Sequence, residues 1–166
     1  MSNVKNLSLS HLKKQDAEKY KEKKQVVFHD GTKVDVDMAF RPSVQNDLNT
    51  ELLKLFQDVI KKKEKADGGE ITAVALCLII KYFTSIEIKG AKTFNDYIEM
   101  YNIIEDNEYL QPIVQAFEPS ELQKSMDSIN NIIGRWTKDM ERVIEEVKFK
   151  RSLEENPSDG NIQELE

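Results

Sequence analysis

The side chains that carry most enzymatic and metal chemistry are few in this sequence and poorly spaced for it. His11 and His29 are the two histidines, and neither has a second His, Cys or carboxylate at the spacing a zinc site uses. Asp35 and Asp37 would share one face of a strand and could act as an acid pair. No base accompanies them and no apolar setting would raise a carboxyl pKa, so a solvated strand face is the simpler reading. The run "DGTKVDVD" (30–37) departs from the D-x-D-x-D-G order of a calcium loop. Gly68-Gly69 is not followed by the Lys-Ser/Thr of a phosphate-binding loop. Cys77, the single cysteine, lies inside the apolar run "ALCLII" and reads as a buried structural thiol. These residues predict neither an enzyme nor a resident metal or cofactor.

Contact chemistry is better represented. In "ELQKSMDSINNIIGRWTKDMERVIEEV" (121–147), apolar residues fall at Leu122, Met126, Ile129, Ile133, Trp136, Met140, Val143 and Val147, in alternating steps of four and three. That spacing keeps a stripe turned toward one neighbour along a helix, and Ile132 and Ile144 widen it as a core-packed helix requires. Leu122 to Ile133 are expected to pack on the body of the protein. Trp136 to Phe149 are expected to project and meet another chain, with Trp136, Met140, Val143 and Val147 as the interface of a homo-oligomer. The alternative is a lone helix curved around its own core. Gly134, costing about 1 kcal/mol relative to Ala in mid-helix, suggests that something approaches closely there.

The elements that must position this stripe read as mainly helical, with a small N-terminal β-hairpin and a long C-terminal helix. Residues 1–24 are Lys-rich and weakly apolar, a flexible basic arm or a short lead-in helix. Val34, Val36 and Met38 alternate with Lys33, Asp35 and Asp37, the period of a half-buried strand. Asp30-Gly31 supplies the turn to a partner strand over Val26 to Phe28, and a hairpin this small must lean on helices. Pro42 closes the strand, and Ser43 can cap the next helix, whose apolar residues run from Val44 to Ile60. Lys61 to Lys63 suit the negative end of its dipole. Asp67-Gly68-Gly69 reads as a turn. "ITAVALCLIIKYF" (71–83) is apolar all round, and its length favours a central buried helix. Gly90 breaks the chain, and Thr93, three before Asp96, caps a helix through Tyr101. A short piece, "EYLQPIVQAF", is started or interrupted by Pro112. Pro119 then opens the last helix, with Glu121 reaching back to its free amides. It extends to about Arg151, roughly 50 Å at 1.5 Å per residue, more than a body this size can cover.

Composition and charge narrow the setting. Of 166 residues, 39% are hydrophobic, enough for one core without a disulfide or metal staple. This gives a single helical domain over 25–151 between the arm and an acidic tail over 152–166 expected to be disordered. The net charge of −6 is uneven: the tail carries five carboxylates and no Lys or Arg, leaving the rest nearly neutral. The basic arm could touch nucleic acid or an acidic partner, but a solvated flexible leader is the better reading, and no basic face marks the body. No signal-peptide core is present, and "ITAVALCLII" is too short to span a bilayer. No nucleic-acid or membrane partner is expected, and the cysteine content suits the cytoplasm.

The order of "VVFHDGTKVDVDMAFRPSVQNDLNTELLKLF", "LCLIIKYFTSIEI" and "FNDYIEMYNIIEDNEYLQPIVQAFEPSELQKSMDSI" resembles the tail assembly chaperones of long-tailed, non-contractile bacteriophages of Gram-positive hosts. The likeness covers about residues 25–135 and rests on residue-class patterns rather than catalytic signatures. It implies a non-enzymatic protein of the infected cytoplasm that coats the tape measure protein, keeps it soluble and helps recruit tail tube subunits. The alternatives are a structural or connector protein of the phage particle, and a small helical adaptor or regulator.

Overall fold

A computed structural model describes residues 6–62 and 64–155. Residues 1–5, Lys63 and residues 156–166 lie outside the described residues; of the tail expected to be disordered over 152–166, residues 152–155 instead continue the last helix. The described residues form six helices and one antiparallel hairpin, in the order α1 (Leu9–Lys19), β1 (Lys23–Val27), β2 (Lys33–Asp37), α2 (Pro42–Lys62), α3 (Gly68–Phe83), α4 (Phe94–Asp106), α5 (Leu110–Ala116) and α6 (Pro119–Glu155). This is the mainly helical architecture with an N-terminal hairpin and a long C-terminal helix that the patterning predicts.

The hairpin pairs Val26 with Val34 and Lys24 with Val36. Gly31, at φ +82°, takes the left-handed position of the turn, and Asp30 accepts hydrogen bonds from the Thr32 hydroxyl (2.7 Å) and amide (2.9 Å). Those bonds, the Thr32 hydroxyl first, hold its carboxyl down at about 2. Val34 and Val36 face the core, while Asp35 takes the Gln25 amide (3.1 Å) and Asp37 pairs with Lys23 across the ladder (2.9 Å). The two aspartates therefore spend their charge on neighbouring strand residues. The hairpin leans on α5 through Phe28 against the Tyr109 ring (centroids 4.5 Å apart) and the Tyr109 hydroxyl donating to Asp30 (2.8 Å). The chain leaving α3 adds to the β2 edge, with the Ser85 amide donating to the Asp35 carbonyl (2.8 Å) and the Ser85 hydroxyl accepting from the Asp35 amide (2.9 Å).

α3 is the axis of the core. Its residues from Val74 to Phe83 are buried except Leu76, Lys81 and Tyr82; α4 and α2 pack against it, and Phe40 stacks on its last residue, Phe83. Cys77 is fully buried, and burial pushes its thiol up to about 12. Thr93 and Asp96 form the capping box the sequence predicts for α4.

Three local expectations are corrected. Asp67-Gly68-Gly69 is not a turn: Asp67 caps α3 in a capping box with Glu70, and both glycines lie in the first helical turn. Ser43 is inside α2, because Pro42 takes the first helical position and the Arg41 carbonyl accepts the first helical bond, from Gln45. The Glu121 carboxylate is engaged by the Phe40 amide (2.9 Å) and by Lys124 one turn further along α6 (2.7 Å) rather than by the first amides of the helix. The Phe40 amide lies between strand and proline with no ladder partner, and the carboxylate satisfies it. The arm is also more ordered than its composition implies. α1 buries no residue, yet Arg41 grips Asp16 with two bonds (2.7 and 2.8 Å) and its guanidinium lies 4.3 Å from the Tyr20 ring centre.

Candidate interaction surface

α6 runs unbroken for 37 residues from Pro119 to Glu155, so one apolar stripe passes through several surroundings. Over its first half α2 lies alongside it in the same direction. Asn49 donates to the Ser128 hydroxyl (2.9 Å), and one turn-pair further on Phe56 stacks on Trp136 with centroids 4.5 Å apart. Ile129 and Ile132 are buried, and Leu122, Met126, Ile133 and Trp136 are partly buried against the same core. Leu122 to Ile133 thus cover the body, as predicted.

Trp136 does not project. Its ring completes the core beside Phe56, and the limit of the covered stretch moves one turn later than expected. The cover ends because α2 ends at Lys62. There Ala66, Trp136, Met140 and Ile144 line a shallow apolar groove of about 370 Å³, with Glu64, Lys65 and Glu141 on its rim. Ile144 at the groove's edge is 47% exposed, and beyond it Val143, Val147 and Phe149 are 43%, 47% and 64% exposed. Of the four expected interface residues, Trp136 packs on Phe56 and lines the groove with Met140, and Val143 and Val147 lie on the open surface. Among the described residues nothing approaches Gly134 closely, since a Cβ built there meets nothing within 4 Å.

A polar cluster invisible to sequence patterning sits on the other side of α2. Glu51 takes both its oxygens to Lys81 (2.8 and 2.9 Å), accepts the Tyr82 hydroxyl at 2.6 Å and accepts the Tyr97 hydroxyl as well. Burial pushes the Glu51 carboxyl up, but the three donors and the Lys81 charge outweigh it and hold the carboxyl below its ordinary value. Both phenols are pushed well above the usual range, by burial first and by donating to Glu51 second. The cluster ties α2, α3 and α4 together, and its acceptors are engaged internally.

Among the described residues no group of three or more His, Cys, Asp and Glu could hold a metal ion, and no helix is long and apolar enough to cross a membrane. The comparison with known families gives the setting. The sequence model of the YomO family matches residues 9–160, and the chain belongs to that family. The family is phage-related, which makes this a phage-associated protein. No curated protein and no solved structure matches the chain.

Proposed function

We propose that the protein is a phage tail assembly chaperone: a non-enzymatic protein of the host cytoplasm that binds the tape measure protein, keeps it soluble, helps recruit tail tube subunits, and self-associates through the end of α6. The likeness over residues 25–135 suggests the role, and the phage-related family supports its setting. The observation that carries the reading is the uncovered continuation of the α6 stripe, from Met140 in its groove to Val143, Ile144 and Val147. Val143, Ile144 and Val147 lie together on one face of α6, and a contiguous exposed apolar patch favours a contact surface. A protein that holds amphipathic helices needs such a surface, and a flexible Met beside it adapts to varied partners.

Co-expression with the tape measure protein of the same phage tests the reading. The client is expected to stay soluble and co-purify. An insoluble client with this protein eluting alone would sink the chaperone assignment, and recovery of the chain from purified particles would favour a structural or connector role.

A further inference from the structure

We infer that the first half of α6 is an exchangeable latch: it lifts off α2 as a unit, and the seat it leaves accepts an amphipathic helix of a partner polypeptide. The inference stands on the seam between α2 and α6 and holds whether or not that partner is a tape measure protein.

This seam is the least satisfied contact in the body. α3 packs against both α2 and α4, and α5 joins the hairpin to α4, whereas α6 packs chiefly on α2. Three buried side-chain atoms have no hydrogen-bond partner among the described residues: Gln45 Oε1, Ser125 Oγ and Trp136 Nε1. All three belong to this seam, Gln45 on α2 and the other two on α6. Each unmade bond subtracts from what burial of Ile129 and Ile132 gains, and opening returns each of these atoms to water. Among the described residues two hydrogen bonds close the seam, from Asn49 to Ser128 and from the Phe40 amide to Glu121 (2.9 Å each).

Packing is incomplete at both ends. Gln45 and Ser125 line a cleft of about 180 Å³ beside Phe40 and Glu121, and the 370 Å³ groove lies past Trp136.

The seat has the form of a helix site. Gln45, Asn49 and Phe56, four and seven residues apart, share one face of α2. They meet Ser125, Ser128 and Trp136 in the same order, so the occupant runs parallel to α2. The middle of the seat is apolar, where Ile129 enters the core, and its edge offers the Gln45 acceptor. A partner helix with the apolar spacing of α6 and a side chain that donates to Gln45 fits this seat better than α6 does.

Hydrogen exchange and displacement test the latch. Amides of residues 122–136 are expected to exchange together, at least about tenfold faster than those of Val74–Phe83. Ser125→Ala, which removes an unmade bond at little change of shape, should slow that exchange about tenfold. Trp136 is the single tryptophan and reports the seam through its emission. The probe is a synthetic peptide of residues 119–140 carrying Trp136→Phe and, as the donor, Ser125→Gln. In excess it should displace α6 and shift Trp136 emission to the red in a saturable way, as a scrambled peptide should not. A chain carrying Asn49→Cys and Ser128→Cys, joined by a short thiol linker, should remain a monomer and show no shift; Cys77 is buried and does not compete. Equal exchange in α6 and α3 would overturn the latch. No shift in the unlinked chain, or an equal shift in the linked one, would overturn the seat. A covalent dimer on linking would give the seat to a second copy and overturn the partner helix.

Discussion

Placing Glu51 among Lys81, Tyr82 and Tyr97 removes a carboxylate from much of its hydration, with its side chain 22% exposed, and the three donors restore what burial takes away. Glu51→Gln keeps the shape but leaves the Lys81 ammonium without its counter-charge, and is expected to lower unfolding stability by about 2 kcal/mol in denaturant titration. Because the folded carboxyl sits below its ordinary 4.5, its contribution is fully present above that value and is lost as pH falls through the lower folded value. Thermal melts of the native chain should therefore drop on acidification below about pH 4.5, and those of Glu51→Gln should drop less. Trp136→Ala, which opens a gap beside Phe56, should cost about 3 kcal/mol. A comparable truncation at exposed Val147 should cost the isolated fold under about 0.5 kcal/mol. Equal losses at the two positions would place both in the core.

Helix ends explain several differences between expectation and structure. Asp67-Gly68-Gly69 carries the residues of a turn and of a helix start alike; Glu70, three after Asp67, is the signal that distinguishes them, and it completes the capping box. Asp67→Ala is expected to lower stability by about 1 kcal/mol. At Gly134 the helix pays backbone entropy with no close neighbour to justify it, so Gly134→Ala should raise stability by about 1 kcal/mol. A loss there would mean that something packs against that face in solution. Elements with local determinants were legible in the sequence: the hairpin with its Asp30-Gly31 turn, the Thr93 box, the all-round apolar α3, and the first half of the α6 stripe. Contacts made by distant residues were not. Glu51 meets Lys81 and Tyr97 from 30 and 46 residues away, and Arg41 meets Asp16 from 25. The point at which α6 loses its cover depended on where α2 stops relative to Trp136, which no periodicity encodes.

Across the whole molecule the body and its appendages are held by different means. The body is bound by a continuous apolar core from the hairpin to Ile132. α1, with no buried residue, is held by Arg41 on Asp16 and Tyr20. An exposed pair of this kind contributes at most about 1 kcal/mol, so Arg41→Ala should leave the melting temperature nearly unchanged while speeding amide exchange across α1. Unchanged exchange would show that the arm is held by contacts other than this clasp.

The partnership of α2 with the first half of α6 also sets an order of events during synthesis. Phe40 meets Glu121, Asn49 meets Ser128 and Phe56 meets Trp136 across 79 to 81 residues of chain, whereas the hairpin and the α3–α4 pair close over short spans. Long-span contacts form last, because the chain between them must be ordered first. A nascent chain that has emerged only to Glu118 holds α2 with its Phe56 side uncovered, and binding of a dye for exposed apolar surface by that fragment, lost once residues through Trp136 are included, would record the moment of closure. The helix that completes the core is the one that carries the exposed apolar stripe, so a chain that presents that stripe beside a covered Phe56 has already finished folding.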